Sequence, residues 1–243
     1  MTHIESPQNP RLKALRKLQT KRGRASSGCF AAEGEDLVEA ARRAGRELLE
    51  GYRLAGSGLG GTRFHDVAPA ALAAASALGS SSRVIGVYEQ RWGKPRGPLC
   101  LYLHGVGDPG NVGTALRAAQ AFGAASVALG PGCADPHSPK AVRASMGAIF
   151  AVELARAGAV EELPGERIAL SPSAGEVLHG PLPGGGKDVT LLVGAERDGL
   201  PAELVAACER HARIPIASES LNAAMAATVA LYEMTRRASR VPD

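Results

Sequence analysis

Three short segments concentrate the residues able to do chemistry. The first runs His104-Gly105-Val106-Gly107-Asp108-Pro109-Gly110-Asn111-Val112-Gly113 and leads on to Arg117. The second is Gly194-Ala195-Glu196-Arg197-Asp198-Gly199-Leu200-Pro201, and the third is Ile214-Pro215-Ile216-Ala217-Ser218-Glu219-Ser220-Leu221-Asn222. Asn111, Glu196, Ser220 and Asn222 fall where loops should pass into helices, so each can act on a ligand or simply cap a helix. Arg117 lies among Ala115, Ala118 and Ala119, and a guanidinium in an alanine-rich helix requires an anion, either a structural carboxylate or a ligand phosphate. A set of Asn, Arg, Glu and Ser suits a ribose hydroxyl flanked by phosphate, which needs orientation and charge compensation more than a soft nucleophile. No cysteine is placed to attack a base carbon: Cys100 falls in an expected strand, Cys133 in a Gly/Pro-rich loop and Cys208 near a helix end.

Gly105, Gly107 and Gly110 also form a G-x-G-x-x-G between a strand and a helix, the context of a dinucleotide fingerprint. Two features oppose a nicotinamide or flavin enzyme. The Asp108 carboxylate would sit where a diphosphate approaches, and no clear acidic residue ends a second strand about 20 residues on to grip a ribose. Asp135, the nearest candidate, lies in a proline-crowded loop. A P-loop is excluded because its Lys-Ser/Thr pair is missing.

The elements that must position these segments follow from periodicity. Leu12, Leu15 and Leu18 mark an amphipathic helix over 9–20, and Glu33–Arg46 repeats the helical pattern. Gly56–Gly61 is a flexible loop, Ala68–Leu78 a short helix and Val84–Tyr88 a strand. Trp92–Pro98, rich in proline and glycine, is the linker candidate, which divides the chain into 1–95 and 96–243. Beyond it, strands over 99–106, 126–129, 167–170, 188–193 and 213–216 alternate with helices over 111–122, 138–150, 201–208 and 221–237, with Ser220 as the cap of the last. Alternation of this kind predicts an α/β fold with a parallel sheet, and ligands at the carboxyl ends of its strands.

Composition narrows the classes. The chain has 243 residues, 45% hydrophobic and 21% charged, ordinary proportions for a globular protein. No run approaches the roughly 18 apolar residues of a membrane span, and the first residues lack the apolar core of a signal peptide. Cys29, Cys100, Cys133 and Cys208 are widely spaced, and the six histidines show no metal-ligand spacing, so the expectations are buried thiols, no metal and a reducing cytoplasm. Charge is uneven: 15 Lys/Arg face 9 Asp/Glu through Pro95, against 13 and 15 afterwards. Arg11, Lys13, Arg16, Lys17, Lys21, Arg22 and Arg24 crowd the start with only Glu5 opposing them, which is either a polyanion-binding face or a solvated helix surface.

Asn111-x-Gly113-x-x-x-Arg117-x-Ala119-x-x-Phe122-Gly123, Gly194-x-Glu196-x-x-Gly199-Leu200, and Ile214-Pro215 with Ser220-Leu221-Asn222 resemble the three motifs of the SpoU/TrmH family of the SPOUT superfamily. That resemblance implies an RNA ribose 2′-O-methyltransferase using S-adenosyl-L-methionine. It implies a C-terminal SPOUT domain with a parallel sheet and a deep trefoil knot, compatible with the small-residue run Asn222–Ala227, and it implies a homodimer. Ser6–Pro10, the basic helix and Phe30–Gly34 are similar to the family's small α/β RNA-binding domain, itself like a ribosomal protein. The N-terminal arrangement leans toward ribosomal rather than transfer RNA. Only four residues separate Pro215 from Ser220, fewer than the family's usual spacing.

By the same resemblance, backbone groups of Gly194, Ile214 and Leu221 would hold the cofactor, with glycine at 194 leaving room for a purine. Asn111, Arg117, Glu196, Ser220 and Asn222 would form the catalytic set, and the family's arginine is proposed to activate the ribose hydroxyl. A guanidinium is too basic to deprotonate readily, so the chemistry favours Arg117 as a bidentate clamp on the target phosphate. The alternative from another class is a non-catalytic RNA-binding protein with a decayed methyltransferase fold, against which the intact polar set argues.

Overall fold

The computed structural model describes residues 3–77, 82–180, 187–218 and 220–236. Contacts divide the chain into two compact units, Met1–Arg91 with Asp135–Ala151, and Trp92–Ala134 with Val152–Asp243.

The first unit is built on a mixed sheet of five strands, in the order β1-β4-β3-β5-β2. These are β1 (His3–Ile4), β2 (Cys29–Glu33), β3 (Glu50–Leu54), β4 (Phe64–Val67) and β5 (Val84–Glu89). Alternation along β5 sends Ile85 and Val87 to one face, where they meet Ile4, Tyr52, Val67 and Leu72. Onto that face packs α1 (Pro10–Lys17), with Leu12 and Leu15 buried and Leu18 just beyond it, the stripe expected from the spacing. Asn9 caps α1, accepting from the Arg11 amide at 2.9 Å, and Pro10 needs no partner in the first turn. α2 (Lys21–Ser27) follows closely: a side chain on Gly23 would collide with the Lys17 carbonyl. α3 (Glu35–Arg43) and α4 (Pro69–Ala73) are shorter than the helical patterns that announced them, and Leu78 lies outside the described residues.

Asp135–Ala151 completes this unit although it follows the linker in sequence. The helix expected over 138–150 is two pieces, α6 (Pro139–Ala144) and α7 (Ala148–Ala151), because Met146 (φ 49°) and Gly147 (φ 95°) turn left-handed between them. Close approach requires the glycine, since a Cβ there would press on Ala40. Phe150 stacks on Phe30 (5.7 Å between centroids) and meets Tyr88 edge-on at 4.9 Å. The segment thus supplies aromatic core to the first sheet.

The second unit is a seven-stranded sheet, and every pairing among its named strands is parallel. Its order is β10-β12-β9-β11-β6-β7-β8, with β6 (Leu99–Leu103), β7 (Ser126–Leu129), β8 (Glu153–Arg156), β9 (Glu166–Leu170), β10 (Glu176–Val177), β11 (Val189–Val193) and β12 (Arg210–Arg213). β6 and β11 are buried throughout, and their continuous apolar sequences are what a sheet covered on both faces demands. α5 (Pro109–Ala121) packs against α9 (Ala223–Thr235), while α8 (Ala202–Ala206) is a short connector. β6 stops before the expected residue 106 because Gly105 turns left-handed (φ 69°). β12 precedes the expected 213–216, which leaves Ile214-Pro215-Ile216 as irregular backbone.

Candidate active site

The order reverses between β6 and β11, a topological switch point where loops at the carboxyl ends part and open a crevice. Beside it, at the carboxyl ends of β9, β11 and β12, a cavity of about 650 Å³ is lined by the segments that follow those strands. Leu170, Val193, Leu200, Val205, Ile214 and Leu221 supply apolar wall, and Ser171, Glu196, Arg197, Asp198 and Ser220 supply polar groups. Ile216 and Ala226 line it as well. The volume lies within the usual range for small-molecule sites. Mostly apolar walls with a few charged groups fit a ligand that joins a purine to an amino-acid zwitterion.

The loop after β11 is a tight turn in which the Gly199 amide donates to the Ala195 carbonyl at 3.0 Å and Gly199 is left-handed (φ 66°). A side chain on Gly194 would strike the Gly199 and Leu200 backbone. Glycine at 194 is therefore required by closure of the turn itself. Arg197 and Asp198 project from the tip, exposed.

Asn111, Glu196 and Asn222 come together. Asn222 donates from Nδ2 to Asn111 Oδ1 at 3.0 Å, and Asn111 donates from Nδ2 to Glu196 Oε1. Capping is done by other atoms than expected. Asp108, not Asn111, caps α5 by accepting from the Asn111 amide at 3.1 Å. Asn222, not Ser220, caps α9, its Oδ1 accepting from the amides of Ala224 (2.9 Å) and Met225 (3.3 Å). Ser220 and Leu221 instead line the cavity. Arg117 is exposed on α5 and makes no hydrogen bond or ion pair among the described residues, so the structural-carboxylate alternative for it falls. It is separate from the Asn–Asn–Glu cluster and from the cavity wall.

The seven N-terminal basic residues divide. Lys13, Lys17, Lys21 and Arg22 are exposed and without partners among the described residues. Arg11 pairs with Glu50, and Arg16 donates to the Pro7 carbonyl at 3.0 Å. Arg24 is a correction: only 3% exposed, it binds Asp135 (2.7 Å) and the Leu18 carbonyl (2.8 Å), a buried tie within the fold with no surface left for a polyanion. All four cysteines are free, but only Cys100 and Cys208 are buried; burial raises the Cys208 thiol to about 11, far from a reactive thiolate. No metal-ligand cluster exists among the described residues, and no helix there could cross a membrane.

What the motifs missed is the contribution after β9: Ser171 and Pro172 belong to no motif, although their place at a strand's carboxyl end was the available signal.

Residues 98–232 match the SpoU rRNA Methylase family, and residues 9–62 match the MRM3-like substrate binding domain. The chain belongs to the SpoU rRNA methylase family. It is 30% identical over 249 residues to the 23S rRNA (guanosine(2553)-2'-O)-methyltransferase RlmP of Bacillus subtilis, covering 96% of this chain and 99% of that one. The 23S rRNA (uridine(2479)-2'-O)-methyltransferase of Streptomyces viridochromogenes is 36% identical over 141 residues, 53% of this chain and 49% of that one. An AdoMet-bound rRNA methyltransferase from Sinorhizobium meliloti superimposes with a TM-score of 0.83 at 32% identity, covering 96% of both chains.

Proposed function

We propose that this chain transfers a methyl group from S-adenosyl-L-methionine to a ribose 2′-hydroxyl of ribosomal RNA. The observation that carries the reading is the meeting of Asn111, Glu196 and Asn222 beside a small-molecule cavity at the carboxyl ends of the strands, in a chain similar over nearly its whole length to a 23S rRNA 2′-O-methyltransferase. Bound in the cavity, the cofactor supplies an electrophilic methyl on a sulfonium. Backbone groups at Gly194, Ile214 and Leu221 would hold it, and the apolar wall would exclude water. The ribose hydroxyl then has to be oriented toward the cavity and held there. Arg117 performs that presentation by clamping the adjacent phosphate through its planar fork, and the hydroxyl proton leaves to phosphate or water. Glu196 and Ser220 face the reaction from the cavity side. The decayed-fold alternative has nothing in its favour, since no member of the set is missing.

Lys13, Lys17, Lys21 and Arg22 form the RNA-contacting face of the first unit, and residues 1–95 make up the substrate-binding domain ahead of a catalytic domain over 96–243. The partner for α9 is a second copy of this chain: Met225, Val229 and Tyr232 follow at i, i+4 and i+7 and are 59%, 41% and 54% exposed, an apolar stripe that a homodimer would cover. A trefoil knot at residues 194–222 and a cytoplasmic setting, consistent with four free cysteines, complete the reading.

The test is the chemical position of the methyl. Ribosomal RNA labelled by the protein with radioactive cofactor and digested in alkali should yield a labelled dinucleotide, because a capped 2′ oxygen cannot attack its phosphodiester. Label in mononucleotides would place the methyl on a base and overturn the assignment.

A further inference from the structure

Asn222 occupies both ends of its amide. Its Oδ1 accepts two backbone amides at the start of α9, so Nδ2 is the end that faces Asn111. Asn111 must then accept with Oδ1, which turns its own NH₂ to the Glu196 carboxylate. The opposite amide orientations would set carbonyl oxygen against carboxylate, so one polarity alone satisfies the cluster. The chain of donors therefore runs in a single direction and terminates on a charge, where a hydrogen bond is strongest.

Of the three, only Glu196 lines the cavity. Asn111 and Asn222 stand behind the wall. Asn222, however, directly follows the lining residues Ile214, Ile216, Ser220 and Leu221, and Asn111 sits in the first turn of α5, the helix that carries Arg117. Resting on the methylation reading, we infer that Asn222 and Asn111 are positioning residues: they transmit the seating of the 214–221 segment on its ligand to the Glu196 carboxylate. Occupancy of the cofactor cavity thus sets the carboxylate for the incoming ribose. A shift of Asn222 by a fraction of a hydrogen-bond length moves the acceptor of Asn111 and, through its rigid amide, the donor held by Glu196.

The test separates this role from helix capping. Asn222→Asp keeps the acceptor that caps α9 but cannot donate to Asn111, so the melting temperature should stay at the wild-type value while kcat falls about three- to tenfold, the usual range for losing a hydrogen bond between neutral groups. A readout independent of turnover comes from calorimetry with S-adenosylhomocysteine. Asn111→Ala should weaken binding about fivefold in the wild-type background and have no effect in Glu196→Ala, which removes the acceptor, because Asn111 acts only through Glu196. Equal losses in both backgrounds, or a fully active Asn222→Asp, overturn the relay. A non-additive binding cycle in a protein that methylates no RNA would instead sustain the relay and strike the methylation reading.

Discussion

Arg24 and Arg117 are both helical arginines that sequence logic assigns to an anion, and the fold treats them in opposite ways. Arg24, in the first unit, is buried and bridges the end of α1, through the Leu18 carbonyl, to Asp135. Arg117, in the second, is exposed and has no partner among the described residues. A buried guanidinium must be fully paired or the fold loses several kcal/mol. An exposed one costs little to leave unpaired. An unpaired arginine is therefore the one still able to recruit a ligand, and the difference between the two is burial, which charge and spacing alone do not disclose.

Arg117 should give the largest effect. Arg117→Ala should lower turnover by a hundredfold or more, on the order of losing one preorganised donor at a reacting centre, with unchanged melting temperature and S-adenosylhomocysteine affinity. Arg117→Lys should not rescue it, because lysine lacks the planar fork. A fully active lysine variant would rule out the clamp.

Arg24 should show the reverse pattern. Arg24→Ala leaves Asp135 without its partner beneath the surface and should destabilise the protein by about 3 kcal/mol, read as a lower denaturant midpoint. A denaturant midpoint equal to wild type would mean the bridge contributes nothing and the contrast with Arg117 fails.

How much of this was legible depended on whether the informative residues were local. The parallel sheet of the second unit announced itself through runs such as Leu99-Cys100-Leu101-Tyr102-Leu103 and Val189–Val193, each buried on both faces. Four strands of the first unit carry no such signal: β1 is only His-Ile, β2 reads Cys-Phe-Ala-Ala-Glu, β3 reads Glu-Gly-Tyr-Arg-Leu and β4 reads Phe-His-Asp-Val, with little apolar alternation. Tyr52 and Val67 instead find their core partners, Ile4, Leu12 and Ile85, far away in sequence. Asp135–Ala151 escaped for a similar reason, since nothing in its own sequence says that Phe150 packs on Phe30. The motif residues of the site were legible, but the caps were not: Asp108 and Asn222 outcompete Asn111 and Ser220 because their carbonyl or carboxylate oxygens reach amides two or three residues on.

The open cations of α1 and α2 test the same contrast at lower stakes. Replacing Lys13, Lys17, Lys21 and Arg22 together by glutamine should leave the melting temperature unchanged and weaken RNA binding. The slope of log affinity against log salt should fall by about 0.7–0.9 for each phosphate that the variant no longer neutralises. An unchanged slope would make this face merely solvated.

The smallest effect belongs to a pair spent on the surface of the second unit. Glu209 accepts from the Arg167 guanidinium (3.0 Å from Nε) and from the Arg167 amide (2.8 Å), and the side-chain bond leads in drawing its carboxyl down to about 2. A carboxyl held below its unfolded value stabilises the fold above the ordinary carboxylate range, near 4.3, and that contribution drains away as pH falls toward 2. The Glu209 side chain is 44% exposed, so solvent screening limits the gain to about 1 kcal/mol or less. Glu209→Gln should therefore be slightly less stable than wild type at pH 7, and the difference should shrink through pH 4 and vanish near pH 2. A difference that persisted unchanged at pH 2 would show that the contact works through packing and backbone hydrogen bonding rather than charge, and would move Glu209 out of the class that Arg24 represents.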